Sequence, residues 1–427
     1  MVLTRSVAAV FILLFLYASA LATSDLEQLA AGATSPDRER AEAAISELRA
    51  KGQAGLDVLF AKYSQQIAEF SRSGETTEEW LRVSGALDKV AMQKDAYASG
   101  LYWFTDLVAA QKLAAATDRP VLSLRLLGNL NEEFSCANSR LFRALLYADP
   151  KLSGFLKNNY VLHWSSVRPA PRITIDFGDG RKIERTVTGN SIHYILDEDG
   201  RIIDGLPGIY SPAAFLIYLE QGKQVNDAID GYSADRKSLA IRRYRGLSFD
   251  RIRERRENAI KQQDIKLTEP ETGTEAFRAA PIAVAKMFVT DEITLLRRYD
   301  DFARFEPLLQ FSDWKKLAAA YSPNIRLSNE SLEFIRRQVR GTGRTTAEFS
   351  SMLARLKEYI ALDTTRNDVV YHLKIYEWLN YEATSPDVDR FNQRVYADLF
   401  KTPNSDPWLG LYSTDVYAAL DGNGITR

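Results

Sequence analysis

A change of hydrophobic period part-way along this chain constrains its fold more than any other feature. Up to about residue 93, apolar residues recur at helical spacing, as at Ala41, Ala44, Ile45 and Leu48. Between residues 94 and 222, short apolar runs such as Val121-Leu122-Ser123-Leu124-Arg125-Leu126 and Tyr160-Val161-Leu162-His163-Trp164 alternate with helical stretches. From about residue 223 the helical period returns, with Leu353, Leu356 and Ile360 on one face. Strands separated by helices need a sheet with helices packed against it. The expected fold class is therefore α/β with a mixed sheet, preceded by a helical segment (23–93) and followed by a separate all-helical domain (223–427). The length of 427 residues asks for two or three domains on its own account.

Punctuation residues sharpen the middle region. Asp106 to Ala116 reads as a helix, and Arg119-Pro120 opens the strand that follows. A loop from Leu127 to Ser135 leads to Cys136 and a further helix, which breaks at Asp149-Pro150. Ile173 to Phe177 and Lys182 to Val187 flank Gly178-Asp179-Gly180, the pattern of a tight hairpin. Ile192 to Leu196 and Arg201 to Asp204 form two more strands around a turn. Ser211, Pro212 and Gly222 then bracket a helix predicted over 213–221. Nearer the N-terminus, Ser35 and Asp37 sit where a helix N-cap would and Gly52 where one would end.

Composition narrows the function classes. A net charge of −1 gives no global attraction to nucleic acid. The arginine-rich stretch from Arg236 to Lys266 is broken by Asp250, Glu254 and Glu257, lacks aromatic residues spaced for base stacking, and reads as a solvated helix face. Arg5, the apolar run Val7 to Tyr17 and the small residues Ala18 to Ala22 form the pattern of a secretory signal peptide over 1–22. The run falls short of the roughly 20 residues that span a bilayer. The expectation is an exported, periplasmic or secreted chain, without stable membrane insertion after cleavage. A single cysteine, Cys136, excludes an intramolecular disulfide.

The order of these elements carries a resemblance. Trp103 and the helix of 106–116 precede Arg119-Pro120-Val121-Leu122 at the start of a central strand. Cys136-Ala137-Asn138-Ser139-Arg140 opens a helix, and Tyr194 to Gly200 with Leu206-Pro207-Gly208-Ile209-Tyr210 leads to the last one. Residues 101–221 thus resemble the thioredoxin superfamily, in the form found in exported bacterial thioredoxin-like proteins. The chain departs from that pattern in three ways. Ser139 stands where the second cysteine of the family motif belongs. Ser191 or Ile192 replaces the proline before the penultimate strand, and the hairpin of 173–187 replaces a helix.

With one cysteine, only monothiol chemistry is open. A cysteine at a helix start is favoured as thiolate, and Ser139 is placed to donate to its sulfur. The resemblance implies that the segment before the penultimate strand faces the cysteine, which makes Ser191 and Ile192 candidate binding residues and His193 a candidate activator of Cys136. Glu132 and Glu133 would oppose thiolate formation if close. Two readings follow. In one, Cys136 performs thiol–disulfide exchange with a protein partner, an external thiol resolving the mixed disulfide. In the other, the chain is a non-catalytic binding or scaffold protein with a structural cysteine. Neither reading calls for a cofactor. Three scattered histidines and one cysteine match no structural zinc pattern.

Overall fold

The structure is a computed structural model that describes residues 25–186, 189–265, 311–322, 324–382, 386–400 and 402–408, together with 419, 420 and 425. The segment read as a signal peptide and Val187 at the end of the hairpin lie outside the described residues.

Of the helices α1 (Arg38–Ala50), α2 (Gln53–Lys62), α3 (Ser64–Ser73) and α4 (Glu78–Ala91), the first and last begin at side-chain caps, while α2 and α3 follow Gly52 and Tyr63 without one. The Asp37 carboxylate accepts from the Arg40 N–H at 3.2 Å, and Thr77 accepts from the Trp80 N–H at 3.0 Å. Gly52 separates α1 from α2 at a φ of +66°, a conformation that side chains disfavour. Leu48, Leu56, Leu59, Val83 and Val90 are fully buried and give these helices a core of their own.

The middle region is a mixed α/β layer. After α5 (Leu107–Thr117) come β1 (Val121–Leu127) and α6 (Ala137–Phe142), which continues as a π-helical turn (Arg143–Tyr147). Then follow α7 (Pro150–Asn159), β2 (Val161–Arg168), β3 (Arg172–Asp176), β4 (Lys182–Thr186), β5 (Ser191–Leu196) and β6 (Ile202–Pro207). The main sheet has the order β2-β1-β5-β6, with β1 and β2 parallel and β5 antiparallel to both of its neighbours. Every residue of β1 and β5 is buried, including the polar Ser123 and Arg125 of β1 and Ser191 and His193 of β5. Strands β3 and β4 pair only with each other. Asp176 pairs with Lys182, so the connection runs from Phe177 to Arg181 and is wider than the tight turn expected from the glycines.

Helix α8 (Pro212–Ile229) starts as predicted, with Ser211 accepting from the Ala214 N–H at 3.3 Å, but runs straight through Gly222. That glycine is a packing residue and not a stop. A Cβ on it would lie 2.6 Å from Ile195 Cδ1 and 3.1 Å from the Tyr160 hydroxyl.

Beyond it lie α9 (Ala234–Gln262), α10 (Phe311–Tyr321), α11 (Asn329–Gln338) and α12 (Thr346–Arg366). A π-helical turn (Asn367–His372) carries α12 into α13 (Leu373–Tyr381), and α14 (Val388–Arg394) follows. Ile375, Tyr376, Phe391, Val395 and Tyr396 enter the same apolar core as the sheet. Most arginines of α9 face solvent, as read from the sequence, but Arg245 turns inward. It donates to the carbonyls of Ile203 and Leu379 at 3.3 Å and to that of Ile202, closing the open edge of β6.

Sheet and helices meet at a buried polar centre. Asp204 of β6 faces His372 Nε2 at 2.7 Å and accepts from the Tyr244 and Tyr376 hydroxyls, each at 2.8 Å. Asp368 faces His372 Nδ1 at 3.4 Å and accepts from the hydroxyls of Tyr321, at 2.6 Å, and Tyr218. With a carboxylate at each ring nitrogen, His372 is an imidazolium. Burial pushes its pKa down, but the Asp204 charge, with hydrogen bonds to both carboxylates, outweighs that and lifts it to about 9. Burial likewise pushes Asp204 up, and the His372 charge together with its hydrogen-bond donors brings it below the usual carboxylate range. Six elements converge on these three residues: β6, α8, α9, α10, the π-helical turn and α13.

Replacing His372 by leucine strands two buried carboxylates and is expected to cost about 3–5 kcal/mol in denaturant unfolding. Because the folded pKa lies above the unfolded value, this stabilisation is complete below about pH 6.5 and fades as pH rises through about 9. Unfolding the wild type and His372→Leu at about pH 6 and about pH 9.5 checks it, since the gap between them should shrink at the higher pH.

Candidate functional site

Cys136 sits one residue before α6, in extended backbone, where the loop after β1 turns into the helix. Its N–H donates to the Leu127 carbonyl at 2.9 Å, which fixes the cysteine against the end of the central strand. The Ser139 hydroxyl lies 2.8 Å from the Cys136 carbonyl and 2.5 Å from Ser135 Oγ. These bonds hold the helix start without involving solvent.

The sulfur itself is enclosed: Cys136 has 0% exposure and belongs to the apolar core. Burial pushes the thiol pKa up, against the N–H and hydroxyl of Ser139, the Leu127 N–H and the Arg140 charge, all of which favour thiolate. Ser139 does reach the sulfur's surroundings, as the spacing implies, yet desolvation wins. Glu133 acts instead on Asp95 and Lys94.

The segment before β5 does lie against the start of α6. Asn138 Nδ2 donates to Ser191 Oγ at 2.8 Å and also reaches the Gly189 carbonyl. Ser191 and Ile192 are wholly buried in β5, opposite Leu126 and Arg125 of β1, so neither presents a surface to a ligand. His193 is wholly buried as well, its ring against Phe142 and Phe215 and its Nε2 2.7 Å from the Tyr147 hydroxyl. That tyrosine, and not the thiol, is the partner of the imidazole. Burial drives its pKa down to about 3. His163 is held similarly: Arg125 Nη1, which can only donate, lies 3.2 Å from its Nδ1, fixing the proton on Nε2, and its pKa falls to about 3 through burial and the Arg125 charge.

The outer face of α6 borders an open groove of about 1000 Å³ between α6 and its π-helical turn on one side and α11 and α12 on the other. Leu141, Leu145, Ile335, Met352 and Leu356 supply apolar lining, while Arg140, Arg143, Arg185, Arg344 and Arg355 supply charge. Sequence reasoning missed this groove, whose walls lie far apart along the chain. Among the described residues no set of three histidine, cysteine or carboxylate side chains is placed to hold a metal ion. No protein family, curated protein or solved structure matches the chain.

The three histidines make the electrostatics directly measurable. In NMR titrations of the ring nitrogens, His163 and His193 are expected to stay neutral from about pH 8 down to about pH 4.5, while His372 stays charged up to about pH 8. An inflection near the free-histidine value of about 6.5 for any of them contradicts the burial described above.

Proposed function

We propose that this chain is an exported, non-catalytic binding protein built around a thioredoxin-like domain, in which Cys136 is a structural residue. The enclosed sulfur carries this reading: a thiol with no exposure and a pKa raised by burial is neither accessible nor ionised for exchange with a partner. The thioredoxin-like assignment is supported by a cysteine-led helix after the central strand and by the segment before β5 packing against that helix. Export rests on the pattern of residues 1–22. Among the described residues no helix is long and apolar enough to cross a membrane. The groove beside α6 supplies the surface that a binding role needs.

Monothiol exchange through Cys136 is the second reading. In its favour, the Ser139 N–H and hydroxyl and the Arg140 charge all act to stabilise a thiolate. It requires the helix start to open before the sulfur can react.

The rate of Cys136 alkylation in the folded protein separates the two. The binding reading expects labelling no faster than global unfolding, and a Cys136→Ala variant that keeps its circular dichroism spectrum and loses only about 1 kcal/mol of stability. Rapid labelling that titrates below the free-thiol value of about 8.5 would return the function to the thiol.

A further inference from the structure

We propose that the groove between α6 and α12 binds an extended acidic peptide segment of a partner protein, its apolar side chains on the groove lining and its carboxylates on the arginines. This names a ligand class for the binding role proposed above and rests on that reading.

Charge is the first argument. Arg140, Arg143, Arg185, Arg344 and Arg355 line the groove against Asp95, Glu133 and Glu348. Two of these carboxylates are engaged already. Asp95 pairs with Arg143 at 3.0 Å, and Glu348 closes the capping box of α12 by accepting from the Thr345 N–H at 2.7 Å. Among the described lining residues the surplus is cationic, and it comes from three parts of the chain: α6 with its π-helical turn, β4, and α12 with the residue before its cap.

Arg143 is the second argument. It is 1% exposed, yet it lines the groove, and only its Nη1 is bonded, to Asp95. Its Nε and Nη2 have no hydrogen-bond partner among the described residues. These two nitrogens form one edge of the guanidinium, the edge that donates to both oxygens of a carboxylate side by side. A buried cation with an unsatisfied donor edge is costly, and opening of the groove floor over Arg143 to admit a carboxylate would remove that deficit.

Shape is the third. About 1000 Å³ is the upper end of the range for compact ligand sites, and this groove is an open trough. Apolar lining from Leu141, Ile335, Met352 and Leu356 between arginine-bearing walls suits a segment in which acidic and apolar side chains alternate.

The probe is a fluorescein-labelled octapeptide alternating glutamate and leucine, titrated into the full chain and followed by anisotropy, beside an octapeptide alternating lysine and leucine. Saturable binding of the acidic peptide alone is expected, weakening as salt rises from about 0.05 to about 0.5 M. Arg344→Glu and Arg355→Glu, both at exposed positions, should each weaken it about tenfold without changing the circular dichroism spectrum. Arg143→Lys, which keeps the charge but loses the paired donor edge, should weaken it as well. No saturable binding, equal binding of the lysine peptide, or indifference to both exposed substitutions overturns the proposal. Cys136→Ala, titrated in parallel, keeps the two failures apart. Loss of binding in that variant alone points back to the thiol, whereas absence of binding in every protein with Cys136 still inert removes the groove and leaves the structural role of the cysteine standing.

Discussion

A positive imidazole ring held between two buried carboxylates joins the sheet to the helices that follow it. None of the three charges is tolerable alone in an apolar core. Asp204 arrives on the edge strand β6, while Asp368 and His372 lie a helical turn apart between α12 and α13. Four tyrosine hydroxyls complete the shell, drawn from α8, α9, α10 and α13. Such an arrangement forms only when all of these elements are in place at once, so it selects one packing of the helices on the sheet over others of similar apolar burial. Arg245 adds to the selection by closing the edge carbonyls of the same strand.

The region around Cys136 shows how burial can override local chemistry. A helix start, a serine three residues on and a nearby guanidinium all favour thiolate, and the thiol is nevertheless pushed up. The same removal from water pushes His193 down, so the two groups that could have formed a nucleophile and its base are both neutral, and the imidazole is bonded to a tyrosine. Asn138, Ser191 and Ser139 then serve as internal fasteners between the helix start and its neighbouring strand. Exposure moves to the opposite face of α6, where the groove lies.

Much of the fold was legible in the sequence because β1, β5, β6 and the first half of β2 are buried on both faces and read as largely apolar runs between clear turn residues. The N-caps at Asp37 and Ser211 were equally direct, since each depends on chemistry within three residues. Gly222 was misread because a glycine in contact with a neighbouring strand looks, in one dimension, like a glycine ending a helix. The placement of Cys136 before a helix was visible. Its enclosure was not, because the groups around it arrive from the β4–β5 connection and from Tyr396, far along the chain. The polar centre left one local trace, the four-residue spacing of Asp368 and His372, with nothing near them to mark Asp204 as their partner. The groove left none.

The continuous helix from Thr346 through the π-helical turn to Tyr381 has a mechanical meaning. At 1.5 Å per residue it is a rod about 50 Å long. Its first half forms one wall of the groove and its second half is pinned to β6 through His372. A rod fixed at such a point behaves as a lever: a sideways displacement of the wall at Arg355 appears as torque about the imidazole. The wider turn, inserted next to that pivot, lets the two halves present different faces, one to the groove and one to the core. The groove wall and the joint that holds the sheet to its helices thus lie on one continuous helix.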